Sequence, residues 1–214
     1  ELTMAMMLHM VRDLKYSEDG LRETGKCVME IFPTRGGTLI GKTLGILGLG
    51  WIGKGVARRA RACGMNILYH NRHRQSPEVE AQYGATYVSQ EELLQKSDVV
   101  TLHMPATKDN YHMLSTVQFA MMKPSAYLIN TARGTIVDSE ALAQALNDGV
   151  IAGAALDVFE GEPEVPACLL QAKNAYLLPH IGSASMEIRC NTLRQALEGA
   201  MDVLEGREPK HRVL

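Results

Sequence analysis

Six consecutive residues, Gly48-Leu49-Gly50-Trp51-Ile52-Gly53, constrain this chain more than any other part of it. A GxGxxG spacing is weak by itself, because glycine is common. Here it follows the apolar run Thr43–Leu47, which reads as a buried strand, and opens Ile52–Cys63, which reads as a helix. Gly48 permits a tight turn, Gly50 lets the backbone approach a pyrophosphate, and Gly53 lets the helix close on the strand. The helix N-terminus, at Trp51 and Ile52, brings N–H groups and a favourable dipole to the same place. These five residues are the expected phosphate-binding set.

The alternation continues along the chain. Asn66–Tyr69, Ala85–Val88, Val99–His103, Ala126–Asn130, Ile151–Asp157 and Ala175–Leu178 read as strands. Between them lie helices: a short one ending at Tyr83 after the polar loop Asn71–Pro77, one started by Ser89 with Glu92 in a capping-box pattern, and one capped by Asp138 that runs to Asn147 before Gly149. A final long helix spans Ser185–Glu205. Strands alternating with helices predict a doubly wound α/β fold, a parallel Rossmann sheet with right-handed crossovers. Ahead of it, Leu2–Val11 has helical spacing, with Leu2, Ala5, Met6 and Met10 on one face. Thr24–Gly41, rich in Gly, Pro and Thr, reads as a long connection. The expected division is 1–35 for the crossing helix and connection, 36–184 for the dinucleotide-binding domain, and 185–214 for the closing helix. The first helix begins at Glu1 without a cap, which points to sequence upstream of it.

The end of the second strand discriminates between cofactors. NAD sites usually place Asp or Glu there, roughly 20 residues beyond the glycines, to accept from the ribose 2′-OH. This chain has Asn71, Arg72, His73 and Arg74 instead. Such a cationic run attracts a 2′-phosphate, and Arg72 offers a planar fork of donors. NADP(H) is therefore the expected cofactor, with NAD(H) possible, and a solvated basic loop is the alternative.

Three further segments fall at the carboxyl ends of strands, where doubly wound sheets do their chemistry. They are Asn130-Thr131-Ala132-Arg133-Gly134, the run from Leu156 to Pro163, and Pro179-His180-Ile181-Gly182-Ser183. With them the whole chain resembles the D-isomer-specific 2-hydroxyacid dehydrogenases, and the Asn71–Arg74 stretch resembles the glyoxylate and hydroxypyruvate reductase branch. The resemblance implies Arg133, Glu162 and His180 as the catalytic set, and Asp157 near the nicotinamide. Pro105, Thr131, Ala132 and Gly182 are implied to line the same cleft. It further implies a homodimer built partly on the connection and the His103–Met122 region. A separate substrate domain, largely absent from this chain, is implied as well; the Met-rich face of the first helix and one face of the last would rest partly on it.

The chemistry is consistent with those roles. Reducing a 2-oxo acid requires a hydride on carbon and a proton on oxygen. Imidazole titrates near neutral pH and suits His180 as the acid. An anion such as Glu162 favours the imidazolium, and Arg133 suits a carboxylate and a developing oxyanion. The six other histidines, His112 among them, read as packed or surface residues.

Other function classes recede. A formal net charge of −2 disfavours nucleic acid or an anionic membrane as a bulk partner. No apolar run approaches the roughly 18 residues of a spanning helix. The cysteines, Cys27, Cys63, Cys168 and Cys190, lack metal-ligand spacing and read as reduced thiols in a cytoplasmic protein, with no metal site expected. Two alternatives stay open: a phosphite or formate dehydrogenase on the same fold, and a cofactor-sensing, corepressor-like binding module.

Overall fold

The computed structural model describes residues 1–27 and 36–210. Two compact units divide it, Glu1–Pro179 and His180–Leu214.

The first unit is built on seven parallel strands in the order β3-β2-β1-β4-β5-β6-β7. They are β1 (Thr43–Leu47), β2 (Asn66–His70), β3 (Ala85–Tyr87), β4 (Val99–Leu102), β5 (Tyr127–Asn130), β6 (Gly153–Leu156) and β7 (Ala175–Leu177). Every strand foreseen from the apolar runs is present, with ends shifted by a residue or two. The order reverses between β1 and β4, where Leu44 pairs with Val99 and Leu47 with Leu102. In an open parallel sheet, such a reversal leaves a crevice at the carboxyl ends of the strands.

Period-two alternation divides each strand between two buried layers. On one face Leu44, Ile46, Ile129 and Ala155 pack with α1 (Leu2–Arg12) and α3 (Trp51–Ala62). On the other, Leu47, Val100, Leu102, Leu128 and Ala154 pack with α5 (Gln90–Lys96), α6 (Thr116–Met121), α7 (Ser139–Asn147) and α8 (Ala167–Leu170). α2 (Leu14–Thr24) and α4 (Pro77–Tyr83) bury no residue fully, and Tyr83 of α4 packs partly against the first layer.

The first helix corrects the sequence reading. Its buried face is Thr3, Met4, Met6, Met7 and Val11, while Ala5 is exposed. Met6 and Met7 are 1% and 0% exposed, in the layer that holds Ile129 and Ala155. The methionines are therefore core of this unit, each worth roughly 1.5–3 kcal/mol of burial, and not a face reserved for another domain. Small residues at Gly153 and Ala155 leave room for long, unbranched side chains, and a Cβ on Gly153 would lie 2.7 Å from the Met10 methyl carbon.

Three helices were not anticipated. α2 begins after Asp13, whose φ of 50° turns the chain out of α1. α6 has a capping box between Ser115 and Gln118, and α8 is a single turn. The connection expected over Thr24–Gly41 lies partly outside the described residues, since 28–35 are not described.

The second unit is dominated by α9 (Met186–Leu204), capped by Ser185, whose Oγ accepts from the Ile188 N–H at 3.1 Å. Met186, Leu193, Leu197 and Leu204 form an exposed apolar stripe along it. No helix among the described residues is long and apolar enough to cross a membrane.

Candidate functional site

The glycine turn joins β1 to α3 as its sequence requires. Gly48 has φ +104°, a conformation costly for any residue with a Cβ. A Cβ there would also lie 2.7 Å from the His103 carbonyl carbon, so the turn presses against the chain leaving β4. At Gly53 a Cβ would overlap the Gly48 carbonyl oxygen. At Gly50 it would meet nothing within 4 Å. Gly53 is thus required by packing, whereas Gly50 faces open space at the mouth of the helix. Trp51 and Ile52 beside it are exposed, at 96% and 66%. First-turn N–H groups have no acceptor within their own helix. Open backbone and unused donors are what a pyrophosphate needs, so this cradle fits a dinucleotide.

The turn is tied to the end of β2. Asn71 Oδ1 accepts from the buried Leu49 N–H at 2.7 Å, and Gly48 N donates to the His70 carbonyl at 3.0 Å. The Tyr87 hydroxyl donates to the Asn71 carbonyl at 3.3 Å. Asn71 thereby holds the glycine turn with its side chain.

The basic run divides into unlike members. Arg74 makes two 2.8 Å bonds to Glu80 and lies over the Tyr87 ring. Glu80 also accepts from the Tyr69 hydroxyl at 2.6 Å. Arg74 and then Tyr69 hold the Glu80 carboxyl down at about 2. Burial and the bond to Glu80 push the Tyr69 hydroxyl up to about 12. Arg74 is committed to this knot. Arg72, by contrast, makes one exposed 3.4 Å contact with Asp109 from the loop after β4, and His73 is exposed.

The edge between β4 and β6 carries the other expected residues. Pro105 is exposed and accepts through its carbonyl from Asn110 Nδ2 at 2.9 Å. The Thr131 hydroxyl lies 3.0 Å from that of Thr3 in α1. Asn130 shapes the loop after β5, its Oδ1 accepting from Ala132 N and its Nδ2 donating to the Arg133 carbonyl, both at 2.9 Å. Arg133 is exposed, with Nη1 donating to the Ala132 carbonyl at 2.6 Å. Asp157 is 1% exposed, and its N–H donates to the Asn130 carbonyl at 2.9 Å. Glu162 is exposed, and its Oε1 accepts from the Phe159 N–H at 2.8 Å. The structure thus brings Gly48, Gly50, Asn71, Arg72, Pro105, Thr131, Ala132, Arg133, Asp157 and Glu162 to one edge of one parallel sheet. His180 and Gly182 belong to the second unit, where both are exposed and His180 has φ +53°.

Two features of this edge escaped the sequence reading. His103 follows β4, with its ring Nε2 3.0 Å from the Thr101 hydroxyl, and burial drives its pKa down to about 4. It is a neutral imidazole at neutral pH. The second is a bond between His112 and Glu160, at 2.7 Å across 48 positions of chain. No local pattern announces either.

Comparison with known proteins agrees with this geometry. Residues 4–182 match the model of the D-isomer specific 2-hydroxyacid dehydrogenase, NAD binding domain. A glyoxylate reductase of Thermococcus litoralis is 53% identical over 151 residues, covering 71% of this chain and 45% of that protein. The crystal structure of a glyoxylate reductase from Paecilomyes thermophila superposes with TM-score 0.84 at 40% identity, covering 95% of this chain and 60% of that one. D-lactate dehydrogenase with NAD+ from Lactobacillus jensenii gives TM-score 0.87 at 27% identity, covering 100% of this chain and 67% of that one. The chain spans about half the length of the Thermococcus enzyme and about two thirds of the others. A glycine cradle at the strand reversal, Arg133 and Glu162 on adjoining strand ends, and a family match over most of the sequence agree: this chain belongs to the D-isomer specific 2-hydroxyacid dehydrogenase family, as its NAD binding domain.

Proposed function

We propose that the chain is the dinucleotide-binding part of an NADP(H)-preferring reductase that turns a short 2-oxo acid, glyoxylate or hydroxypyruvate, into the 2-hydroxy acid. The observation that carries this reading is the pair Arg133 and Glu162. They follow neighbouring strands β5 and β6, on the carboxyl edge that also holds the glycine turn. The named glyoxylate reductases among the relatives support the substrate class.

The dinucleotide, when bound, supplies the hydride for the carbonyl carbon. Arg133 binds the substrate carboxylate and stabilises negative charge on the carbonyl oxygen, which a planar guanidinium does better than an ammonium. His180 donates the proton to that oxygen. Glu162 orients the imidazole and favours its protonated form. Asp157, Thr131, Ala132, Pro105 and Gly182 line the nicotinamide side. Arg72 takes the 2′-phosphate. Its contact with Asp109 is exposed on both sides, and such pairs contribute about 0–1 kcal/mol, so a phosphate displaces it readily. Asn71 and Arg74 contribute less than the basic run suggests, because their side chains already serve Leu49 and Glu80. The working protein is a cytoplasmic homodimer, with the 103–122 region and the connection at its interface.

Initial rates of glyoxylate and hydroxypyruvate reduction by the intact protein test the reading. His180→Ala should cut turnover by roughly 10²–10⁴-fold while leaving NADPH affinity unchanged. Near-normal turnover in that variant, or no reduction of either acid by wild type, would overturn it.

A further inference from the structure

His112 stands where three loops meet. It follows β4, with a left-handed φ of +48°. Its N–H donates to the Thr135 carbonyl, in the loop after β5, at 2.9 Å. Its ring Nε2 is 2.7 Å from Glu160 Oε2, in the loop after β6. Its Nδ1 is 3.8 Å from Asp138, the residue that caps α7. Tyr111 stacks on the His112 ring at 3.9 Å and donates its hydroxyl to Glu160 Oε1 at 2.8 Å. Both oxygens of Glu160 are therefore held from the β4 loop, and its carboxyl lies below the usual range because of His112 and then Tyr111.

The opposite side of Glu160 is equally constrained. A Cβ on Gly134 would overlap the Phe159 carbonyl carbon and the Glu160 nitrogen. The loops after β5 and β6 therefore touch backbone to backbone at this point. Arg133 directly precedes Gly134, and Glu162 lies just beyond Glu160 with its carboxylate on the Phe159 N–H. A shift of Glu160 would carry both of them.

We propose that His112 and Glu160 are positioning residues, whose bridge sets the spacing of the Arg133 and Glu162 loops for substrate. Neither side chain acts on substrate or dinucleotide. The proposal rests on the roles given above to Arg133 and Glu162. A displacement of about 1 Å at reacting groups can cost on the order of 10²-fold in rate, so a bridge of this kind is read in kcat and KM.

The test uses the intact protein with glyoxylate as substrate. His112→Ala should lower kcat/KM by about tenfold or more with dinucleotide affinity unchanged. His112→Gln keeps an amide donor for Glu160 and should recover most of the loss. Tyr111→Phe keeps the stacked ring and removes one donor, so a smaller fall in the same direction is expected even if His112→Ala fails to fold. In a Glu162→Gln background, His112→Ala should add little, because it acts through that loop. Wild-type activity in both His112→Ala and Tyr111→Phe beside a crippled Glu162→Gln would overturn the bridge alone, as would losses that simply multiply. Normal turnover in Glu162→Gln would instead overturn the role given to Glu162.

Discussion

The side-chain carbonyl of Asn71 accepts a hydrogen bond from the backbone N–H of Leu49, 2.7 Å away and 22 positions back in the chain. The end of β2 thereby fastens the turn that receives the dinucleotide, and one residue serves fold and site together. Leu49 is fully buried, so its amide has no water to fall back on. Asn71→Ala should cost about 1–3 kcal/mol, the penalty for an unsatisfied buried donor, and weaken both reduced dinucleotides alike. Urea unfolding with parallel NADH and NADPH titrations checks this. A change confined to NADPH would assign Asn71 to the 2′-phosphate instead.

Arg72 and Arg74 should separate cleanly. Arg72→Ala should weaken NADPH by roughly ten- to hundredfold, the worth of charge-assisted bonds to phosphate, with little change for NADH. Arg74→Ala should leave that ratio intact and lower stability only slightly, because its partner is Glu80. Fluorescence titration of the two cofactors decides. Wild-type protein that binds NADH as tightly as NADPH would refute the preference.

Gly50 and Gly53 offer a second contrast within one motif. Gly50→Ala places its methyl in open space at a φ of −85°, so folding should be unaffected while dinucleotide affinity falls. Gly53→Ala drives a methyl into the Gly48 carbonyl, and overpacking of this kind costs about 1–3 kcal/mol or more. Thermal unfolding without cofactor should therefore rank Gly53→Ala well below both Gly50→Ala and wild type. Equal melting temperatures would contradict the packing role.

His103 makes stability fall with acid. Its pKa drops from 6.5 to about 4 in the folded chain, mainly through burial, so the unfolded chain binds the extra proton first. Stability from the neutral ring is complete above pH 6.5 and is lost as pH falls through the interval to about 4. The full loss is about 3 kcal/mol. His103→Gln should flatten the curve in that window and leave intact the separate loss at lower pH, where Glu80 protonates away from Arg74. Unfolding free energies measured between pH 7 and 4 supply the check; an unchanged slope in His103→Gln would remove His103 as its source.

Much of this was legible from short stretches of chain. The apolar runs located all seven strands, and caps at Ser89 and Asp138 marked helices that the structure contains. The Ser115–Gln118 capping box is an equally local signal for α6. Other features gave no such signal. The buried face of α1 turned out to include Met4 and Met7 and to exclude Ala5, because a helix apolar nearly all round does not declare which side meets the sheet.

What the sequence determined by itself is whatever depends on neighbours in the chain. The glycines need left-handed or crowded backbone, the strands need alternating burial, and the helices need their caps, all within a few residues. Only the tertiary structure decided how the basic run is used, with Arg74 spent on Glu80, Asn71 on Leu49, and Arg72 left facing Asp109. Only it joined His112 to Glu160 and left His103 half-buried beside Thr101. The reason is physical: a charge or a donor takes its partner from whatever the fold brings within about 3 Å. Parallel strands joined by crossovers bring together loops that are dozens of residues apart, and no local pattern records which of them will meet.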